Sequence, residues 1–188
     1  MKDSPIITKI EAIHYSHSIT DLGRDYNTFN MVYEPGGNAK QSSSLLRIHT
    51  DLGLIGEYPD VNSIALAEIK ILAPYLIGKD SLARESIYND LKRGSRHLAM
   101  LGMGVIDICL WDIAGKFYEE PLFRLLGGEL KPLKAYASTL HGDENGGLTT
   151  PEDFENFAQE CLQMGYKAFK VHGWGEARTN IDREVENV

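Results

Sequence analysis

The sequence predicts an α+β domain followed by the first part of a parallel β/α structure. Three observations carry this. Segments of period two dominate up to residue 58, segments of near-fourfold period run from 64 to 126, and a strand, a helix and a strand follow in close succession after Leu133. With 188 residues, 43% apolar, and a net charge of −8 from 27 acidic and 19 basic side chains, the composition is that of an ordinary globular protein. A complete (β/α)8 barrel with anything attached does not fit, because that barrel alone takes roughly 250 residues.

Residues 6–15 place β-branched side chains in rough alternation and read as a strand. A polar stretch with Gly23, Pro35, Gly36 and Gly37 covers 16–42 and reads as a long loop, with Phe29, Met31, Val32 and Tyr33 available for a short strand inside it. Residues 43–50 and 54–58 form a hairpin around Asp51-Leu52-Gly53. The helical run begins with Ile64, Ala67, Ile69, Ile71 and Leu72, and Pro74 is expected to end it. A second amphipathic helix covers 81–93 and stops at Gly94. The third, 98–118, is apolar almost all round and belongs at the centre of a helical layer. A short helical turn over 122–126 closes at Gly127-Gly128.

Beyond that point 133–138 reads as a strand and 139–149 as a Gly-rich loop. Thr150, Pro151, Glu152 and Asp153 form a helix start, with a capping hydroxyl, proline in the first turn and acids where the helix dipole favours them. Phe154, Phe157, Ala158, Cys161 and Leu162 are the expected buried stripe, Gly165 the end, and 166–172 the second strand. Strand, helix and strand at this spacing imply parallel pairing with a right-handed crossover.

Several function classes are excluded at this level. The acidic balance and the absence of a basic stripe argue against a nucleic-acid partner. The longest apolar stretch is broken by Asp107, Asp112 and Lys116, so it reads as a buried helix and not a membrane span. Cys109 and Cys161 lie in apolar helical stretches without a CxxC pattern, and the polar N-terminus carries no signal peptide, which points to buried thiols in a reducing cytoplasm. Gly102-Met103-Gly104 lacks the third glycine and the preceding strand of a dinucleotide loop.

Chemistry concentrates on the last strand. Period two places Lys170 and His172 on one face and Phe169 and Val171 on the other, where the apolar pair is expected under helices. The cations then project together at the C-terminal end of a parallel strand, where α/β folds build their sites. Neighbouring cations lower each other's pKa, so the pair offers a neutral base near pH 7. The alternative is a surface lysine at a strand end beside a hydrogen-bonded turn histidine.

Three further stretches occur in a telling order: LRIHTDLGLIGE at 46–57, GVIDICLWDIAGK at 104–116 and PLFRLLGG at 121–128. Followed by a βαβ start with Lys-x-His, they resemble the enolase superfamily, in its mandelate racemase/muconate lactonizing enzyme branch, over nearly the whole chain. The resemblance implies an N-terminal α+β capping domain at 1–132, a three-stranded antiparallel sheet with a helical layer, and at 133–188 the first βαβ portion of an incomplete modified TIM barrel. It also implies a magnesium-dependent enzyme that abstracts the proton α to a carboxylate. An acid-sugar dehydratase or a mandelate racemase-like enzyme is expected ahead of a cycloisomerase or epimerase, since those generally keep a second lysine at the position of His172. The base motif aligns with Lys170 and His172: either His172 takes the proton, or it hydrogen-bonds substrate while Lys170 neutralises the carboxylate.

By position, the two capping-domain loops that set specificity in this family would be 16–42 and 58–63. They offer His17, Arg24 and Tyr58 for a small carboxylate or acid-sugar substrate. Glu57 reads as a structural hairpin acid, and Asp107 and Asp112 as satisfied buried carboxylates. The magnesium ligands implied by the family fall on later barrel strands, beyond Val188, and residues 180–188 read as the start of the second barrel helix. A cytoplasmic homo-oligomer without nucleic-acid or membrane partners completes the expectation. The competing reading, of a different class, is a non-catalytic fragment or interaction module that retains the capping fold.

Overall fold

The computed structural model describes residues 3–22, 37–139, 147–173 and 180–186. Its elements run β1 (Ile7–Leu22), β2 (Gly37–Thr50), β3 (Ile55–Val61), α1 (Ser63–Leu76), α2 (Arg84–Gly94), α3 (Leu101–Tyr118), α4 (Leu122–Leu125), β4 (Ala137–Ser138), α5 (Pro151–Gln163), β5 (Phe169–Lys170) and α6 (Ile181–Glu186). Two compact units emerge: Met1–Ser16 with Ser42–Leu130, and His17–Gln41 with Lys131–Val188.

In the first unit the strands form a three-stranded antiparallel sheet in the order β1-β2-β3. The β2–β3 turn is closed by Thr50, whose hydroxyl donates to the Leu54 carbonyl at 2.9 Å and accepts the Leu54 N–H at 3.1 Å, and by Gly53, with φ of 76°. Alternation along β2 buries Ser44, Leu46, Ile48 and Thr50 toward the helices. The register slips by one residue between Ser44↔Val61 and Leu46↔Tyr58. Asp60 sits in this bulge at φ 65°, and its Oδ1 accepts the Ser43 hydroxyl at 2.8 Å.

β1 and β2 are longer than the sequence predicts: much of the expected 16–42 loop is strand, reaching Leu22 on one side and starting at Gly37 on the other. Inter-strand pairing satisfies the polar backbone there, although the side chains carry little hydrophobic signal. Phe29, Met31, Val32 and Tyr33 lie outside the described residues.

The helices follow the predicted order, with one correction. Asn62 caps α1 by accepting the Ala65 N–H at 2.9 Å, but Pro74 lies inside the helix and does not end it. Proline removes one N–H, that to the Lys70 carbonyl, on an exposed side of the helix, while buried Leu72 and Leu76 hold the last turn. The break comes at Ile77 and Gly78, in extended and left-handed conformations.

α3 is the hub, as its apolar character predicts. Met103, Val105, Ile106, Cys109, Leu110, Ile113 and Ala114 are buried, and they join Ile7, Leu46, Ile48, Val61, Ile69, Leu76, Ile87 and Leu91 in the core. The N-terminus of α3 has no side-chain cap of its own. Glu68 of α1, only 5% exposed, supplies one: its two oxygens accept the Ala99 and Gly102 N–H groups, each at 2.8 Å.

Contact with the sheet is equally close. A Cβ on Gly56 would lie 2.1 Å from the Cys109 carbonyl oxygen, so β3 meets the α3 backbone where only glycine fits. Asp112 and Lys116 lock this contact. Asp112 Oδ2 accepts the Glu57 N–H at 2.9 Å, and Lys116 Nζ donates to the Ile55 carbonyl at 2.6 Å and to Asp112 at 2.7 Å. Glu57 is the expected hairpin acid, bonded to Arg47 Nε at 2.7 Å. Asp112 is satisfied, as expected, though half-buried. Asp107 departs from the expectation: desolvation raises its pKa, and the Arg84 charge opposes that shift without a hydrogen bond to hold it.

In the second unit β4 and β5 pair in parallel, with Ala137 opposite Phe169 and Ser138 opposite Lys170. α5 begins with a reciprocal capping box. The Asp153 N–H donates to the Thr150 hydroxyl at 3.2 Å, while Asp153 Oδ2 accepts the Thr150 N–H at 2.8 Å, the Thr149 hydroxyl at 2.7 Å and the Thr149 N–H at 3.0 Å. Phe154 and Cys161 are buried and Phe157 meets Phe169 edge to face at 6.0 Å, but Leu162 is 62% exposed and leaves the predicted stripe. Both strands contract to two residues, since a ladder extends only as far as a neighbour pairs with it.

Two outcomes test these contacts. Gly56→Ala should lower unfolding free energy by about 1–3 kcal/mol, the usual cost of overpacking, and Glu68→Ala by a similar amount through the two orphaned N–H groups, both read by denaturant titration. The carboxyl of Asp153 is held down from 3.8 to about 2, chiefly by the Thr149 and then the Thr150 hydrogen bonds. Its contribution to α5 is therefore present above 3.8 and lost as pH falls through about 2, so amide exchange at the start of α5 should accelerate over that window.

Candidate active site at the C-terminal end of β5

Parallel pairing decides which way the functional side chains face. Ala137 and Phe169 occupy partner positions and are half-buried, with Phe169 against α5; Ser138 and Lys170 are the next pair and are exposed. Lys170 is thus the last residue of β5, on the side turned from the helix. His172 follows two residues later and is half-buried.

Thr139, the residue immediately after β4, anchors this end. Its N–H donates to the Lys170 carbonyl at 3.4 Å. Its hydroxyl accepts the His172 N–H at 3.2 Å and lies 3.4 Å from the His172 carbonyl. The backbone carrying Lys170 and His172 is therefore held by one threonine across the strand pair. Thr139 reads in the sequence as the first residue of a loop, and a hydroxyl directly after a predicted strand was the one available signal. Val171 differs from expectation: it is 43% exposed, because no element among the described residues packs over it.

The other candidates are placed differently. His17 is an exposed residue of β1. Tyr58, in β3 opposite Leu46, is half-buried and packs against the core of the first unit. Arg24 lies outside the described residues. Sequence reasoning gave no signal for His14 and His49, which the sheet uses structurally: Ser44 Oγ lies 2.8 Å from His14 Nδ1, and Glu11 Oε2 lies 3.2 Å from His49 Nε2.

A cleft of about 790 Å³ lies at the opposite end of the strand pair, lined by Leu133, Lys134, Met164, Tyr166, Lys167 and Ala168. These residues precede β4 and β5, so the cleft is at the N-terminal ends, away from Lys170 and His172. Parallel β/α folds place chemistry at C-terminal ends, and the cleft is therefore a gap in packing and not the candidate site. Among the described residues no three His, Cys, Asp or Glu side chains converge to hold a metal ion, and no helix is long and apolar enough to cross a membrane. Both cysteines are free and buried, and burial pushes the Cys109 thiol up to about 12.

An antiparallel α+β domain followed by a parallel β/α start with a cationic strand end defines a capping domain joined to the beginning of a barrel. Residues 29–127 match the N-terminal domain of the mandelate racemase/muconate lactonizing enzyme family, and the chain belongs to that family. It is 27% identical to arabinonate dehydratase from Saccharolobus solfataricus, over 79% of this chain and 45% of that protein. A D-mannonate dehydratase from Caulobacter vibrioides is 33% identical over 67% of this chain and 32% of its own length. The structure of D-glucarate dehydratase from Agrobacterium tumefaciens complexed with magnesium superposes with a TM-score of 0.74 at 28% identity, over 97% of this chain and 49% of that one. The chain thus spans less than half the length of these relatives.

If Thr139 organises the site, Thr139→Val should preserve the strand pair and raise amide exchange at His172 about fivefold, the effect of losing one ordinary hydrogen bond of ~1 kcal/mol. Unchanged exchange at His172 would remove Thr139 from the site.

Proposed function

We propose that the whole protein to which this chain belongs dehydrates an acid sugar, and that Lys170 and His172 form one side of its active site. The observation that carries this reading is the parallel β4–β5 pair, which brings both residues to one C-terminal strand end, in a chain whose relatives include arabinonate and D-mannonate dehydratases.

The chemistry follows from these side chains. An α proton of a carboxylate becomes removable when the charge of the resulting ene-diolate is stabilised and a neutral base is within reach. The His172 imidazole accepts the α proton in its neutral form, and the Lys170 ammonium Nζ stands two residues away to offset the substrate carboxylate. Collapse of the ene-diolate expels the β-hydroxyl, which leaves as water once an acid protonates it. Thr139 hydrogen-bonds the main chain of both residues and so fixes the backbone from which the base projects. Magnesium, when bound, stabilises negative charge on the substrate oxygens; the described residues of this chain do not form a site that fits it. His17, Arg24 and Tyr58 are the proposed contacts to the sugar hydroxyls. Two buried free thiols suit a reducing, cytoplasmic setting.

A panel of acid sugars assayed for loss of water, using the product of the complete gene, tests the reading. His172→Asn should abolish solvent exchange of the α proton, a loss of 10²-fold or more, whereas Lys170→Met should chiefly raise KM. Exchange that survives His172→Asn but not Lys170→Met would transfer the base role to Lys170. Activity confined to dipeptides would overturn the dehydratase assignment.

A further inference from the structure

We propose that Ser43 and Ser44 are positioning residues, a side-chain clamp in β2 that fixes β3 where it carries Tyr58 and so sets affinity for the substrate without touching it. The inference rests on the dehydratase reading, in which Tyr58 meets the sugar hydroxyls. Between Ser44↔Val61 and Leu46↔Tyr58 the β2–β3 ladder slips, and Pro59 in that stretch has no N–H to give it. Asp60 follows at φ 65°, a conformation that costs any residue with a Cβ. A bulge of this kind re-aims the side chain beside it, and strained backbone persists only where its surroundings over-determine it.

The two serines supply what holds it. Period two turns neighbouring residues to opposite faces of a strand, so one dipeptide reaches both neighbours of β2. On one face the Ser43 hydroxyl donates to Asp60 Oδ1 at 2.8 Å and lies 3.3 Å from the Val61 carbonyl. These contacts hold the bulged residue and the one after it. On the other face Ser44, only 3% exposed, places its hydroxyl 2.8 Å from His14 Nδ1 of β1. A buried hydroxyl is costly without such a partner, so Ser44 pins β2 to β1 at the level where Ser43 pins β3. The bulge beyond Tyr58 is thereby tied to all three strands. The hairpin turn needs neither hydroxyl, since Thr50 closes it separately.

Steady-state kinetics of the complete gene product on acid sugars, with Tm measured alongside, test the proposal. Ser43→Ala and Ser44→Ala should each raise KM about fivefold, the effect of one ordinary hydrogen bond, and leave kcat within about twofold. Asp60→Asn and Ser43→Thr keep the acceptor and the donor and should leave KM unchanged. Asp60→Gly relaxes the backbone but removes the acceptor, so it should raise KM as Ser43→Ala does. Asp60 is exposed and Ser43 half-buried, so their variants fold even where Ser44→Ala does not. An unmoved KM in both alanine variants, a loss of kcat that merely follows a fall in Tm, or an Asp60→Gly variant with unaltered KM would overturn the proposal. Water loss with KM indifferent to both serines sinks the clamp alone. If the unsubstituted protein removes water from no acid sugar, the dehydratase reading falls and the clamp falls with it.

Discussion

The first unit depends on how closely α3 approaches its neighbours. At Gly56 the β3 backbone lies so near the Cys109 carbonyl that a methyl group would overlap it, and at Gly102 a Cβ would come within 2.7 Å of Glu68 Cβ. These contacts bring α3 against the sheet on one side and α1 on another, and buried apolar side chains fill the space that remains. A helix held this tightly also needs its terminal N–H groups satisfied without water. The Glu68 carboxylate does this from a neighbouring helix, placing negative charge at the positive end of the α3 dipole. Asp112 and Lys116, further along α3, tie it to the sheet by bonding the β3 backbone.

The second unit is organised by hydrogen bonding more than by packing. Its helix α5 is started by a capping box on Thr150 and Asp153, and its short strand pair is extended by Thr139. Few apolar side chains are fully buried there: Phe154 and Cys161 are the two among the described residues. The consequence is a strand end whose main chain is set by hydrogen bonds while few of the described apolar side chains around it are buried. The Lys170 and His172 backbone is defined locally, across one strand pair, while Val171 between them is 43% exposed. The main chain at the candidate base is thus set by hydrogen bonds to Thr139, and among the described residues no three metal-ligating side chains converge.

Much of the fold was legible in the sequence because its signals are local. The β2–β3 hairpin follows from alternation around Asp51-Leu52-Gly53, the α5 start from Thr150-Pro151-Glu152-Asp153, and the central place of α3 from its nearly unbroken apolar run. The failures are also physical. Pro74 reads as a stop, yet a helix with a buried last turn tolerates a missing hydrogen bond on its exposed side. The long β1 and β2 arms read as loop because their side chains are polar, and strand formation there comes from backbone pairing that period-two analysis does not detect. Leu162 and Val171 read as core because hydrophobicity marks what can be buried, not what is.

The sequence by itself determined the order of elements, the capped helix start and the Lys-x-His pair at the end of a strand, all set by residues within a few positions of one another. Only the tertiary structure decided that Glu68 caps a helix 34 residues away, that Gly56 admits the backbone of α3, and that Thr139 reaches across 33 residues to hold His172. Such contacts join residues distant in sequence through single polar atoms or a missing Cβ, and neither leaves a periodic trace.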